Sequence, residues 1–244
     1  MTDLNKPIFL YNDDIGSVSY VQHMGNDKMA VNAARVSFGQ DNNKPLTKKD
    51  KKLIKYLLEH KHTSPFEHST ITFKFVVPLF VRSQHHRHRT WAYNEISRRY
   101  TEKDIKFYEP DMFRTQHESN RQASIEGEPI NPGITGKEGP SGFCWSGFRA
   151  DLGMQIFNQG ALQFYEALLR EGVCREQARM VLPQSMYTEY YGTVSLHNLL
   201  KFIELRTHEG AQWEIVKVAE ALLEIATDLW PEVISAWKEI KDER

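Results

Sequence analysis

Residues 69–77, Ser-Thr-Ile-Thr-Phe-Lys-Phe-Val-Val, place an apolar residue at every second position from Ile71 to Val77. Side chains of a strand point to opposite faces in turn, so Ile71, Phe73, Phe75 and Val77 share one face. That face has to be buried. A strand of this kind needs a neighbouring strand for its backbone groups and a helical layer for its apolar side chains. Pro78 ends the run and suits the first turn of a following helix.

The rest of the chain supplies both layers. Phe9, Tyr11, Val18, Tyr20 and Val21 furnish one or two strands near the start. Asn26-Asp27 reads as a helix start, followed at helical spacing by Met29, Ala30, Ala33, Ala34 and Val36. Residues 39–46 form a polar loop, and Thr47 with Asp50 resembles a capping box. It opens an amphipathic helix carrying Leu53, Ile54, Leu57 and Leu58 that ends near His60. Further helices are expected at 148–169, at 174–183 up to Pro183, at 195–206, at about 211–229 and after Trp230-Pro231. Residues 185–194, rich in Tyr and Thr, read as a strand or extended arm. Strands and helices do not alternate as βαβαβ, and no repeat is visible. The expectation is an α+β fold, a small sheet flanked by helices, in a single domain of 244 residues. Residues 116–142, rich in Gly, Pro, Ser and Asn, read as a long surface loop or flexible insertion.

Lys and Arg number 31 against 32 Asp and Glu, so no overall field draws this chain to nucleic acid or to an anionic membrane. No apolar run reaches the ~18 residues that span a bilayer, and no signal peptide is visible at the N-terminus. With only two cysteines, Cys144 and Cys174, neither a disulfide scaffold nor a cysteine-rich zinc site is expected. Both cysteines read as structural, and the expected compartment is the reducing cytoplasm.

Anion binding must then come from a local cluster, and one exists. Residues 82–100 carry Arg82, Arg87, Arg89, Arg98 and Arg99 with His85, His86 and His88, against a single acid, Glu95. Guanidinium forks suit phosphate and planar carbonyl groups. Gln84, Tyr93, Asn94 and Ser97 add neutral donors and acceptors. Charge alone does not choose between a solvated basic face, a polynucleotide tract and a small-molecule site. If Arg87, His88 and Arg89 were helical, their side chains would diverge by ~100° each and serve two ligands or two subunits. Metal binding by His85 with His88, or by His60, His62 and His68, is disfavoured by the interleaved arginines and the lack of an HExxH motif. Two lesser clusters stand at 60–68 (His60, His62, Ser64, Glu67, His68) and at 204–215 around Arg206. Taken singly, each reads as an exposed loop or a helix end. The Arg206 charge, for instance, simply complements a helix C-terminus.

Together the pieces resemble the flavin-dependent thymidylate synthase family. Its signature is Arg-His-Arg, seven residues, then Ser, which stands here as Arg87-His88-Arg89 and Ser97. HTSPFEHSTITF (62–73), RHRTWAYNEISRRY (87–100), ARMVLP (178–183) and LRTHEGAQWEI (205–215) follow in family order. The resemblance implies reductive methylation of dUMP to dTMP. The carbon comes from 5,10-methylenetetrahydrofolate and the hydride from FAD reduced by NADPH, with no cysteine nucleophile. It implies a homotetramer with active sites shared between subunits, and no nucleic-acid or membrane partner. By position, Gln84, Arg87, Glu95, Ser97, Arg99, Arg179 and Arg206 match the dUMP site, joined by backbone groups of His85, His86, Ile96 and Arg98. Arg206 matches the group that ionises the uracil ring. Ser64, Arg87, His88, Arg89, Glu95, Ser195, Leu196, His197 and Lys201 match the FAD site, and His62 the flavin and folate region. Ala92, Ser195, Lys201 and Gly210 depart from the residues most frequent in the family. The alternatives are a nucleic-acid-binding module using 82–99 and a family member that binds nucleotide without turning it over.

Overall fold

The computed structural model describes residues 2–39, 44–120, 124–136 and 147–243. The alternating run becomes β3 (Thr70–Pro78), the centre of a five-stranded antiparallel sheet. Its other strands are β1 (Ile8–Phe9), β2 (Ser17–Met24), β4 (Ala92–Glu95) and β7 (Tyr187–Ser195), in the order β1-β2-β3-β7-β4. Phe73, Phe75 and Val77 are fully buried, and Lys74 on the opposite face pairs with Glu189 at 3.0 Å. One face of the sheet is therefore packed and the other wetted, as antiparallel sheets allow.

Register fixes one glycine. Gly192 of β7 faces Phe73 of β3 and Tyr93 of β4. A Cβ there would lie 2.9 Å from the Phe75 ring and 3.2 Å from Trp91, so the aromatic layer closes only over a residue with no side chain.

The helices cover the buried face. α1 (Asp27–Arg35) starts at Asn26, whose side chain accepts from the Met29 amide; α2 (Lys48–Glu59) starts with the complete Thr47–Asp50 capping box. α3 (Leu79–His85) follows Pro78 directly. α4 (Ala150–Arg170) and the short α5 (Arg175–Ala178) form one side of the molecule. α6 (Leu196–Arg206), α7 (Trp213–Leu229) and α8 (Pro231–Asp242) close the other. α7 buries Ile215, Val218, Leu222 and Ile225 at the centre of the main core. Asp27 accepts from the amides of Glu232 and Val233, so α1 caps α8 across the fold.

One conditional reading and two expectations change. In the 82–100 stretch α3 stops at His85, a turn spans 86–91, and β4 joins the sheet edge. The divergence argument for Arg87, His88 and Arg89 therefore loses its premise. The 174–183 helix shrinks to α5 and one 3₁₀ turn, Arg179–Val181. Within 116–142, β6 (Ser124–Ile130) pairs with β5 (Phe113–Gln116), a ladder that weak apolar patterning hides. Residues 121–123 and 137–142 of that stretch, and Cys144, lie outside the described residues. Among the described residues, no helix is long and apolar enough to cross a membrane.

Candidate active site

The last turn of α6 delivers Arg206 to the end of α3 and the turn after it. Arg206 Nε donates to His88 Nε2 at 3.0 Å, and Nη2 donates to the Gln84 carbonyl at 3.3 Å. An imidazole nitrogen accepts only when it carries no proton, so His88 is neutral with its proton on Nδ1. Burial, together with the Arg206 charge, pulls His88 down from 6.5 to about 4. Burial also lowers Arg206 from its ordinary range, but a guanidinium starts so high that it stays charged at neutral pH. The result is a half-buried cation, oriented through two of its N–H groups, with the remaining N–H groups unspent.

The surrounding turn is strongly braced. His85 is fully buried, its Nδ1 2.8 Å from the Tyr190 hydroxyl, and its ring stands edge-on to Phe75 and Trp91. Burial pushes its pKa well below the usual histidine value, so this ring belongs to the core as a neutral group. The Gln84 amide donates to Gln212 Oε1. Gln212 Nε2 in turn donates to Glu214 at 2.9 Å, and Arg114 of β5 donates to the same carboxylate at 2.7 Å.

Residues 19–232 match the family model described as thymidylate synthase complementing protein. The chain belongs to that family. A relative from Thermus thermophilus, called flavin-dependent thymidylate synthase, is 42% identical over 226 residues, covering 93% of this chain and 77% of the relative. A relative of the same name from Thermosipho melanesiensis is 38% identical over 220 residues, 89% of this chain and 88% of its own. Among solved structures, UMP/dUMP methylase PolB from Streptomyces cacaoi bound with 5-Br dUMP superposes with a TM-score of 0.74. It is 32% identical, over 95% of this chain and 97% of PolB.

In this thymidylate synthase family member the arginines of 82–100 have separate fates. Arg82 pairs with Glu95 at 3.1 Å, and Glu95 also accepts from Thr188 at 2.6 Å. Arg98 is buried and donates to the Lys103 carbonyl at 2.6 Å. Arg87 and Arg89 are exposed, with no side-chain hydrogen bond or ion pair among the described residues. Arg99 is exposed and leans on the neighbouring Tyr100 ring. The stretch is therefore not a continuous solvated basic face. The inward side chains of His85 and Arg98 leave only their backbones for a ligand. His86 packs tilted against Tyr93, ring centres 4.0 Å apart, while Ile96 is exposed and Ser97 half-buried beside Arg98.

Arg179 stands apart. It is exposed on the 3₁₀ turn packed against α4 and α5, and its Nε reaches only the Glu176 carbonyl at 3.4 Å. Among the described residues, no hydrogen bond or ion pair joins it to Arg206. Cys174, read from the sequence as structural, is a free, exposed thiol at the start of α5.

Of the residues matched to the flavin, Arg87, His88, Arg89 and Glu95 stay on the 82–100 stretch, while a second group lies around a cavity of about 260 Å³. His62, His197 and Lys201 line it; Leu57, Phe66 and Leu200 form apolar wall, and Trp237 and Lys241 reach in from α8. Ser64 opens the adjoining 3₁₀ turn, and Ser195 caps α6, accepting from Asn198 at 3.1 Å. Leu196, by contrast, is buried in the main core and presents no side chain to the cavity. The contribution of α8 carries no signal in the sequence, because its cavity-facing residues also fit an ordinary amphipathic helix. Among the described residues, no group of three His, Cys, Asp or Glu is arranged to hold a metal ion.

Proposed function

We propose that this chain is a flavin-dependent thymidylate synthase that methylates dUMP to dTMP, with Arg206 as the group that activates the uracil ring. The observation that carries the assignment is Arg206 itself. It is a charged guanidinium, half-shielded from water, aimed by His88 and Gln84 at the segment that matches the family's dUMP residues. Ionising an imide of pKa roughly 9 near neutrality needs about 2 units, or ~3 kcal/mol. One charge-assisted hydrogen bond in a shielded site contributes ~1.5–3 kcal/mol, so a single well-aimed arginine suffices.

Gln84, Arg87, Glu95, Ser97, Arg99 and Arg179 hold the nucleotide, the exposed guanidiniums of Arg87 and Arg179 taking its phosphate. Backbone groups of His85, His86, Ile96 and Arg98 complete that pocket. Ser64, Arg87, His88, Arg89, Glu95, Ser195, Leu196, His197 and Lys201 belong to the FAD site, with His62 at its folate side. The donor chemistry of the cavity fits such a group: an apolar wall for a ring and cationic or imidazole side chains for phosphate. When bound, FAD reduced by NADPH supplies the hydride, and 5,10-methylenetetrahydrofolate supplies the carbon. No cysteine takes part; the thiol of Cys174 lies on the α4–α5 side, away from Arg206, and its free state suits a reducing cytoplasm.

A homotetramer with shared sites belongs to the same reading. Its support is α4, where Leu152, Ile156, Phe157 and Phe164 are between 37% and 56% exposed. An apolar helix face of that size calls for a partner. The test is tritium release from [5-³H]dUMP with FAD, NADPH and methylenetetrahydrofolate, omitting each in turn. Release that needs all of them is expected; release without flavin, or none with the full set, contradicts the assignment.

A further inference from the structure

Arg206 depends on the turn 86–91 for its main acceptor, so whatever fixes that turn fixes the cation. At one end of the turn Trp91 packs into the main core, while Arg87, Arg89 and Thr90 are exposed. Tyr93 of β4 adds a brace to the His85–His88 part. Its hydroxyl lies 2.9 Å from the His85 carbonyl and 3.2 Å from the His88 carbonyl, so its one proton is shared between both ends of the turn. The hydroxyl cannot drift, because the ring is held on both counts that matter. Its backbone is in register with Gly192 of β7, and its ring packs tilted against His86, centres 4.0 Å apart.

We infer that Tyr93 is a positioning residue for catalysis: its shared hydrogen bond sets the His85–His88 turn so that His88 Nε2 meets Arg206 Nε. The inference rests on the reading of Arg206 as the group that activates uracil. Tyr93 touches neither Arg206 nor, on this reading, the nucleotide. It acts through the carbonyl of His88, on the same residue whose ring accepts the hydrogen bond from Arg206. Loss of the hydroxyl leaves the turn without its outer tie but not unfolded. The His85 carbonyl still accepts from the His88 amide at 2.9 Å, and the ring of residue 93 keeps its contact with His86 and its place in the sheet.

The test compares Tyr93→Phe, Arg206→Ala and 4-aminophenylalanine at position 93 in the full-length holoprotein. Turnover is expressed per bound flavin, so that folded fraction does not enter. Tyr93→Phe is expected to lower kcat about tenfold, with flavin content unchanged and KM for dUMP within twofold. The aniline analogue, which donates from the same place, is expected to restore kcat to within threefold of the wild type. A merely structural residue would lower yield and Tm while leaving kcat per flavin intact. Wild-type kcat per flavin in Tyr93→Phe, beside an inactive Arg206→Ala, overturns the inference and leaves the proposed function standing. Full turnover by Arg206→Ala overturns both. Should Tyr93→Phe give no stable protein, 4-fluorophenylalanine at position 93, which fills the space of the hydroxyl without donating, decides: kcat per flavin about tenfold below that of the aniline analogue supports the role, and equal kcat overturns it.

Discussion

α7 and α4 are the two long helices of the molecule, and they live in different surroundings. α7 buries a face of Ile215, Val218, Leu222 and Ile225 against the sheet side and its neighbouring helices. α4 is longer, yet its buried residues are only Gly153, Asn158 and Tyr165, while Phe157 and Phe164 stand about half exposed. The two arginines matched to the nucleotide follow the same division. Arg206 belongs to the finished side, where one chain alone supplies its acceptors. Arg179 belongs to the α4–α5 side, where one chain supplies almost nothing. On the proposed function, the contrast teaches that this chain would carry the activating group of the site ready-made and leave the phosphate-holding group to be placed by assembly.

The hardest blow to that contrast is to spoil the α4 face. Phe157→Glu with Phe164→Glu is expected to turn the assembly into smaller species and to remove nearly all activity and bound flavin. Each buried phenyl contributes about 2 kcal/mol or more, and carboxylates in an apolar contact add a desolvation cost. Light scattering and flavin absorbance check it. An intact, yellow, active assembly would mean that α4 is an ordinary wet surface. Arg179→Ala sharpens the contrast from the other side. Loss of one phosphate contact is expected to raise KM for dUMP roughly tenfold while kcat stays within about threefold, because the contact is made equally in ground and transition states. A fall in kcat instead would move Arg179 into the chemistry.

The smallest expected effect is in pH. His88 titrates at about 4 in the folded protein against 6.5 when free of it. The unfolded chain takes up this proton first, so the contribution of neutral His88 to stability is complete above about 6.5. It declines as pH falls toward about 4. In the folded enzyme the Arg206 acceptor survives across that window. The ¹³Cε1 resonance of His88 should therefore show no titration near 6.5, and a midpoint there would break the claim that Nε2 accepts from Arg206.

Much of the frame was legible beforehand because period and punctuation agreed. The alternation of Ile71, Phe73, Phe75 and Val77, the Thr47–Asp50 cap and the Asn26 cap each became the element they foretold. β4 was hidden because its residues, Ala-Tyr-Asn-Glu, pair only at a sheet edge and carry no apolar alternation. The site was legible as a set of residue types, not as an arrangement. Nothing in the spacing of 84, 88 and 206 says that an arginine would donate to a histidine. Nor does spacing distinguish Arg98, spent on the Lys103 carbonyl, from the exposed Arg87 earlier in the chain. Those outcomes depend on how α6 ends beside α3, which is decided by the core packing of Leu199, Phe202 and Ile203.

The account stands most directly on tritium release from [5-³H]dUMP by Arg206→Ala, measured per bound flavin. It predicts a yellow, assembled protein whose release falls by on the order of 10²–10³, the usual loss when one fixed electrostatic donor is removed. Release at the wild-type rate from that protein would contradict it.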